Sequence, residues 1–353
     1  MHKSYLGILI TLILTIGICA GCGTAPPAPT AASIDTAKLH AFAPLPPEMT
    51  STSNPITEEK VVLGRMLYYE PRLSKSQQIS CNTCHPLDQY GVDRQPNSDG
   101  HKGQVGNRNA PTVFNAAAHF AQFWDGRAAD VEEQAKGPIM NPIEMAMDSE
   151  ANVLVVLKSM PEYVAAFKAA FPGEKDPVTY DNLAKAIGAF ERKLVTPSRW
   201  DKFLAGDQNA LTNGEKEGFN TFAEAGCQTC HAGAYLGGNL YQRLGLTKPW
   251  PDSSDPGREK VTKSEADRLV FKVPSLRNID KTGPYYHNGR VATLAQAVSM
   301  MAEYQLGKTL TEAQTNSIVT FLGTLTGDIP VEYIQPPALP KSTPRTPKPD
   351  IGD

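Results

Sequence analysis

Helical spacing dominates the pattern of apolar positions along the chain. Four apolar residues recur at intervals of three and four positions and share one face of an amphipathic helix: Leu183, Ile187, Phe190 and Leu194. Two capping boxes, Thr212-Asn-Gly-Glu215 and Thr311-Glu-Ala-Gln314, each precede further apolar spacing and predict the starts of two more helices. Alternating strand patterns are scarce. The sequence therefore predicts a mostly α-helical fold with long loops.

Both ends of the chain depart from this helical pattern. Lys3 and the apolar run from Tyr5 to Ile18 are typical of an export signal, because the run is too short for a membrane span. We place a signal peptide at residues 1–21. Ala-Gly-Cys22 resembles a bacterial lipoprotein processing site, which would make Cys22 the lipidated first residue of the mature chain. The alternative is ordinary cleavage nearby, with Cys22 lost or free.

Two further segments lack an apolar period and are rich in proline. Residues 22–45, which are rich in Pro and Ala, are predicted to form a tether. Residues 331–353 are predicted to form a Pro-rich C-terminal tail that packs partly on the N-terminal domain. The segment between them is long enough for two domains.

Charge and composition exclude two classes of protein. The 353 residues carry 34 basic and 37 acidic side chains, a net charge of −3. No basic excess is available to neutralise phosphates, so we expect no nucleic-acid partner. Only one long apolar run is present, which argues against a polytopic membrane protein.

The cysteines carry the chemistry. Four of the six form two similar motifs, Cys81-Asn-Thr-Cys84-His85 and Cys227-Gln-Thr-Cys230-His231. Two thiols at this spacing can bind the vinyl groups of one haem, and the adjoining histidine then ligates the iron. A four-cysteine zinc site, a redox-active dithiol and structural disulfides are alternatives, but none requires a histidine directly after the second cysteine. The motifs predict two covalently bound haem c groups.

An internal repeat accompanies the two motifs. Shifting the chain by 163 residues aligns Ala110-Pro-Thr-Val-Phe-Asn115 with Val273-Pro-Ser-Leu-Arg-Asn278. The same shift aligns Trp124-Asp-Gly-Arg127 with His287-Asn-Gly-Arg290. We therefore predict two related one-haem domains in tandem, at residues 46–200 and 201–330.

Aligning the two halves also allows the residues on the distal side of the two haem irons to be compared. Met300 and Met301 end a helix-like stretch in the second half, and a thioether ligand there would raise the potential of that haem. Gly137 and Pro138 occupy the matching positions in the first half, and neither can bind iron. An iron with an open position can bind a small molecule. Core packing is the alternative role for the methionines.

Six motifs resemble those of the bacterial di-haem cytochrome c peroxidases. They are Ser80-Cys-Asn-Thr-Cys-His85, Arg108-Asn-Ala-Pro-Thr112, Gln122-Phe-Trp-Asp-Gly-Arg127, Glu133-Gln-Ala-Lys-Gly-Pro138, Glu144-Met145 and Gly283-Pro-Tyr-Tyr-His-Asn-Gly289. The resemblance covers roughly residues 45–340. It implies two tandem cytochrome c-like α-helical domains, a calcium ion between them and a homodimer. It also implies the reduction of hydrogen peroxide to water in the periplasm, with electrons from a small cytochrome c or cupredoxin.

The resemblance assigns roles at the first haem, where His85 is the proximal ligand and peroxide reacts. His101 matches a loop histidine that occupies the sixth position of the iron in the resting oxidised enzyme. Its loop is rich in glycine and so able to leave and return, although a solvent-exposed loop histidine is the alternative. Glu144 and Gln134 match the distal acid and amide, and a carboxyl group there can move a proton between the peroxide oxygens.

The second haem, with His231 proximal and Met301 distal, would be the high-potential site of electron entry. Trp124 matches a residue between the haems that can mediate electron transfer, with core packing as its alternative. The calcium ligands would be the Asn109 side chain and two backbone carbonyls, those of Thr282 and Pro284.

Two rival functions are weighed against peroxide reduction. A relative that oxidises protein-bound tryptophans has a tyrosine as the distal ligand of its second haem, where this chain has Met301. A non-enzymatic, membrane-anchored electron-transfer cytochrome is the other rival, and the lipoprotein-like leader favours it. Glu144, Gln134 and Pro138 favour the peroxidase.

Overall fold

The computed structural model describes residues 1–4 and 33–351. The predicted signal peptide from residue 5 onward, Cys22 and the first part of the tether lie outside the described residues. The helices in chain order are α1 (Thr36–Leu39), α2 (Glu58–Tyr68), α3 (Cys81–Cys84), α4 (Val131–Met140), α5 (Glu150–Lys158), α6 (Pro161–Ala170), α7 (Tyr180–Glu191), α8 (Arg199–Leu204), α9 (Asn213–Ala225), α10 (Glu259–Thr262), α11 (Leu294–Leu306) and α12 (Glu312–Gly323).

The prediction of a mostly α-helical fold is confirmed. Two three-residue strands, β1 (Tyr241–Arg243) and β2 (Val270–Lys272), pair antiparallel and form the one sheet within the described ranges. None of the helices in that part of the chain combines the length and the apolar character needed to cross a membrane.

Local signals in the sequence set the starts of the main helices. Helices α9 and α12 begin at the predicted capping boxes, in which Thr212 and Thr311 each accept from a backbone amide three residues later. Thr179 caps α7 in the same way. The apolar face of α7 is buried, and the helix ends at Glu191, so Leu194 lies just beyond its last turn.

Each half of the chain is built on one pair of crossing helices. Helix α2 crosses α7 at Gly64, where a Cβ would clash with the Ala186 carbonyl, and α9 crosses α12 at Gly218, where a Cβ would clash with the Ser317 carbonyl. A hydrophobic core surrounds each pair, and Trp200 is fully buried in the second core. Position 186 of α7 and position 317 of α12 thus play equivalent parts in the two crossings.

The internal repeat recurs in the backbone. Isolated bridges join Gln122 to Ala128 and, 163 residues later, Tyr285 to Val291. Asn115 and Asn278 share a left-handed φ of 59°, and both side-chain amides donate to the Thr196 hydroxyl, at 2.7 and 2.9 Å. The segment between the halves is thus fixed to equivalent asparagines of both.

Residues 36–45 do not form the predicted tether. Helix α1 lies within this segment, and Phe42 packs against Trp200 and Phe219 in the second core. Leu45 is also buried. The composition of residues 22–45 does not predict this packing, because only a few apolar side chains stand among the prolines and alanines. The predicted domain boundary at residue 200 also falls inside α8, since Trp200 belongs to the second core.

The C-terminal tail lies along the first half of the chain. The Tyr333 ring stacks on Phe190 at 5.1 Å, and Ile334 is buried in the adjoining core. Further along, the Arg72 guanidinium donates to the Pro340 carbonyl at 2.8 Å. The Asp350 amide donates to the Lys75 carbonyl at 2.9 Å, so these contacts extend almost to the end of the described chain.

Candidate functional site

Both cysteine motifs border one continuous cavity. Its volume is about 810 Å³, and its walls come from both halves of the chain. The lining includes all four motif cysteines together with His85 and His231. Cavities of this size with largely apolar walls suit cofactors.

Short helical turns present the two motifs to the cavity. Cys81–Cys84 form helix α3, which is capped reciprocally by Ser80 and Thr83. In the second half Cys227–Thr229 form a 3₁₀ turn directly after α9, where Gly226 reverses the chain with a φ of 98°. A single turn places both thiols and the following histidine on the same side of the backbone.

The environment of the cysteines argues against the alternatives to haem attachment. All four thiols are free. Burial raises the pKa of Cys84 and Cys227 to about 11, whereas a redox-active dithiol needs a thiol with a lowered pKa. Within the described ranges, no group of three or more His, Cys, Asp or Glu residues is arranged to hold a metal ion, so the pairs do not form one zinc site.

The two motif histidines are oriented for iron ligation. His85 Nδ1 lies 3.2 Å from the Gly91 carbonyl, and His231 Nδ1 lies 3.1 Å from the Leu236 carbonyl. With the proton on Nδ1, each Nε2 is left as the ligating atom. Burial lowers the pKa of both imidazoles, which favours the neutral, metal-binding form. The donor set of each motif therefore fits one haem c.

The repeat-equivalent positions 138 and 301 both line the cavity and carry different residues. Met301 lines the cavity from α11, and Pro138 lines it from α4 at the matching position. Met300 is not among the lining residues. The methionines do not end their helix, which continues to Leu306. Met301 is therefore the better placed of the two methionines to act as a distal ligand.

Glu144 and Gln134 line the part of the cavity near Pro138. The Asn141 side-chain amide donates to Glu144 Oε1 at 2.9 Å, so Oε2 is the atom left to exchange a proton. Burial raises the pKa of Glu144, opposed by the nearby Arg127 guanidinium and the Asn141 hydrogen bond. The site thus has a half-buried carboxyl group beside the Asn141 amide.

His101 is buried beside this acid. Only 7% of the residue is exposed, so the alternative of a solvent-exposed loop histidine is wrong. Its amide donates to the carbonyls of Ile143 and Glu144 at 2.9 and 2.8 Å, and its buried Nδ1 has no hydrogen-bond partner among the described residues. Gly100 lines the cavity, whereas His101 is not among the lining residues. An unpaired buried imidazole nitrogen suits a ligand that can turn toward iron.

Trp124 lies where the two halves meet. Its indole Nε1 donates to the Asn109 carbonyl at 2.9 Å, and its ring meets the His287 ring edge to face at 6.4 Å. His287 is the residue that the 163-residue shift aligns with Trp124. The motifs alone did not mark His287 as a functional residue, although its alignment with Trp124 in the repeat could have done so.

The three predicted calcium ligands all border the cavity. Asn109 is buried, and its Nδ2 donates to the carbonyls of Gln95 and Pro96 at 2.9 and 3.4 Å, which leaves Oδ1 as the ligand atom. Thr282 and Pro284 lie on the same wall. The calcium site remains a prediction supported by oxygen donors.

Two further buried charged residues line the cavity and were missed by sequence reasoning. Glu191 lies at the end of α7, and the two helix crossings make it the equivalent of Leu322 in the second half. Burial raises the pKa of Glu191 to about 8. Lys272 is the second such residue, and burial lowers its pKa to about 8. No motif contains either residue, and only the packing of the helices and strands shows that they face the cavity.

Comparisons with known proteins agree with this site. Residues 58–209 match the family described as di-haem cytochrome c peroxidase. The chain is 48% identical over 316 residues to the cytochrome c551 peroxidase of Pseudomonas aeruginosa, which covers 87% of this chain and 90% of the relative. It is 50% identical over 297 residues to the cytochrome c551 peroxidase of Nitrosomonas europaea, covering 83% and 87%. A solved MauG-like protein associated with microbial copper homeostasis is 27% identical, with a TM-score of 0.73 over 83% of this chain and 97% of that one. The chain therefore belongs to the di-haem cytochrome c peroxidase family.

Proposed function

We propose that the protein reduces hydrogen peroxide to water at the haem attached to Cys81 and Cys84. Electrons from a small cytochrome c or cupredoxin enter at the haem attached to Cys227 and Cys230. Peroxidase activity itself follows from the family and from identities of 48% and 50% to two cytochrome c551 peroxidases over most of the chain. The division of labour between the two haems is the proposal.

The asymmetry between Pro138 and Met301 carries this division. Both residues line the cavity at matching positions of the repeat, and only the methionine can ligate iron. A haem iron with an open sixth position supplies a site for peroxide and delivers electrons to it, whereas a His/Met pair raises the potential and suits electron transfer. Glu144 lies near Pro138, because the amide of the adjoining Met145 donates to the Pro138 carbonyl at 3.2 Å.

Glu144 acts as the acid–base group of the reaction. Its Oε2 accepts the proton of the near peroxide oxygen and returns it to the far oxygen, which leaves as the first water. The near oxygen takes up two protons from solvent and the two electrons of the donor protein and leaves as the second water. Asn141 fixes Oε1, so the proton is carried by one defined atom. The Gln134 amide orients the peroxide from the same wall of the cavity. Burial keeps bulk water from competing for the proton, and the raised pKa of Glu144 makes it a stronger base than an exposed carboxylate.

Trp124 connects the two halves. Its hydrogen bond to the Asn109 carbonyl fixes the indole plane, and its edge contact with His287 fixes its position. An electron passing between the two ends of the cavity crosses this ring. We assign Trp124 as the mediator on this placement, and core packing contributes to the same contacts.

A calcium ion between the halves is part of the proposal. The Asn109 Oδ1 and the carbonyls of Thr282 and Pro284 would hold it, because a hard cation prefers such oxygen donors. Homodimerisation is inferred from the family. A periplasmic location with a lipid anchor at Cys22 is inferred from the leader sequence.

Peroxide binding in two oxidation states tests the proposal. The oxidised protein and the form half-reduced with ascorbate are titrated with peroxide while the absorption spectra of both haems are followed. We expect ascorbate to reduce only the Met301-ligated haem and peroxide to react at the other. In Met301→His the potential of the second haem falls, because imidazole stabilises ferric iron better than a thioether, and ascorbate no longer gives the half-reduced form. Peroxide reacting at the ascorbate-reduced haem would reverse the assignment.

A further inference from the structure

Lys272 is a buried cation without a carboxylate partner in the described part of the chain. Its residue exposure is 8%, and it lines the cavity that both cysteine motifs border. The one side-chain contact of its Nζ within the described ranges is with His119 Nδ1, at 3.3 Å. Imidazole is neutral when its nitrogen accepts from an ammonium group, so His119 does not balance the charge. A buried ammonium group normally requires a paired anion.

The repeat shows what stands at this place in the other half. A shift of 163 residues aligns Lys272 with Asn109, and it aligns His119 with Thr282. The main chain agrees, since the Asn109 amide donates to the His287 carbonyl and the Lys272 amide donates to the Trp124 carbonyl, both at 2.8 Å. The Lys272–His119 contact is therefore the counterpart of two of the proposed calcium ligands.

Lys272 belongs to the wall around His231. It lies two residues before Pro274, whose carbonyl faces the His231 ring. The adjoining Val273 carbonyl accepts from the Gly238 amide at 2.8 Å, close to the Leu236 carbonyl that orients His231. An anion that reached Lys272 from inside the cavity would therefore come from the group held at Cys227, Cys230 and His231.

We propose that the Lys272 ammonium group is the counter-ion of a propionate carboxylate on the haem attached to Cys227 and Cys230. At this repeat-equivalent place it supplies the positive charge that the proposed calcium ion supplies beside Asn109. The inference rests on the two-haem assignment of the proposed function. The other cationic side chains on this wall are engaged elsewhere, because Arg243 donates to the Ala266 carbonyl and Lys260 pairs with Asp255.

The reduction potential of the second haem in the purified holoprotein tests the inference. Replacing the ammonium group by an apolar side chain of similar length, in Lys272→Met, leaves the propionate charge unbalanced and stabilises ferric iron. We expect the ferric-to-ferrous ratio of the second haem to rise about tenfold at a fixed ambient potential, which is a shift of about 59 mV. Lys248→Met is the matched control, since that exposed lysine of the second half pairs with Glu303 at the surface and its loss should not shift the potential.

A second variant reports on the contact itself. Lys272→Arg keeps the charge, so the potential stays close to that of the wild type. The propionate bending band of the second haem in the resonance Raman spectrum shifts, because a guanidinium group replaces the ammonium group. An unchanged potential in Lys272→Met overturns the inference. Where that variant fails to acquire haem, an unchanged Raman band in Lys272→Arg overturns it. Both measurements are independent of turnover, so the loss of peroxidase activity would count against the proposed function alone.

Discussion

Trp124 and His287 occupy equivalent positions of an internal repeat, and their rings meet edge to face at 6.4 Å. A pair of symmetric main-chain hydrogen bonds surrounds them, from Asn109 to His287 and from Lys272 to Trp124. The 163-residue shift exchanges these two hydrogen bonds with each other, which is the pattern of a local two-fold relation between the halves. Two equivalent residues can touch in such an arrangement only where the halves meet at its centre. The two rings therefore mark the centre of the interface between the halves of the cavity.

Replacing Trp124 by phenylalanine tests its part in electron transfer. Trp124→Phe keeps an aromatic ring but removes the hydrogen bond to the Asn109 carbonyl and shortens the π system. We expect electron transfer between the haems to slow about tenfold, which corresponds to about 1.4 kcal/mol in the barrier. Rapid mixing of the half-reduced protein with peroxide measures this rate from the oxidation of the second haem.

His287→Phe is the control for that experiment. The His287 ring stacks on Phe271 at 4.3 Å, and phenylalanine preserves this stacking. The rate should therefore change less than in Trp124→Phe. Equal rates in the wild type and Trp124→Phe would show that the indole contributes packing alone.

Loss of the acid–base group should abolish most turnover. Glu144→Gln keeps the shape of the side chain and the contact with Asn141, and we expect steady-state peroxide turnover to fall ~10²-fold or more while the spectra of both haems stay nearly unchanged. Only the ionised carboxylate can accept a proton. Because burial raises the pKa of Glu144, wild-type activity should rise with pH through that raised pKa and fall on the acid side.

Glu133→Gln provides the matched control, since Glu133 is an exposed carboxylate on α4 that pairs with Lys136. Its turnover and pH profile should match those of the wild type. Turnover of Glu144→Gln within twofold of the wild type would remove Glu144 from the mechanism.

Local sequence patterns predicted the helices and the haem-binding motifs better than they predicted the ends of the tether and of the two domains. Capping boxes and apolar spacing placed the starts of α9 and α12 because these signals act within one turn of helix. Phe42 was assigned to a tether because its burial depends on Trp200, which lies 158 residues later. Composition averaged over a window cannot register one such distant contact.

The same distinction holds at the site. The cysteine motifs and Glu144 were predicted because they stand in contiguous motifs. Glu191 and Lys272 were missed, because only the crossing of α2 with α7 and the pairing of β1 with β2 show that they face the cavity. A charged residue in a helix or strand is by default expected at the surface, so its burial is visible only in the folded chain.

Glu191 should make stability depend on pH. Its pKa is raised from 4.5 to about 8 by burial, next to the Glu132 carboxylate and opposed by Arg192. A raised carboxyl pKa gives a contribution that is complete below pH 4.5 and is lost as the pH rises toward 8, because folding must then bury a charge. Glu191→Gln removes this dependence. Relative to the wild type, the variant should gain stability between pH 5 and pH 9, by about 4 kcal/mol at most.

Urea unfolding of the holoprotein at the two pH values measures this difference. Glu150→Gln, at an exposed position of α5, should leave the free energy of unfolding unchanged relative to the wild type at both pH values. A constant difference between the wild type and Glu191→Gln would mean that the carboxyl group stays neutral, or is already paired, across this range.

His101 should control access to the first haem. Its imidazole is buried with an unpaired Nδ1, and its amide is tied to the carbonyls that flank Glu144. Gly100 allows this close approach, because a Cβ there would clash with the Ile143 carbonyl. If the imidazole binds the oxidised iron, the turn that carries Glu144 must move with the loop. Closing the site therefore displaces the acid as well as blocking the ligand position.

Removing the His101 imidazole should leave the sixth position of the first haem iron open. We expect His101→Gly to hold a high-spin first haem that reacts with peroxide when both irons are ferric, without prior reduction. The energetic requirement is modest, since a bias of ~1.4 kcal/mol changes the ratio of closed to open loops tenfold. Electron paramagnetic resonance of the oxidised variant, with activity measured without reductant pretreatment, tests this expectation.

Lys102→Gly is the control, because it places glycine in the same turn at a left-handed φ of 57° and keeps the imidazole. A low-spin first haem in His101→Gly, together with an unchanged need for reduction, would show that another residue closes the site. Spectra of the wild type, taken first, establish whether the oxidised protein is closed at all, and a high-spin wild type would contradict the role of His101.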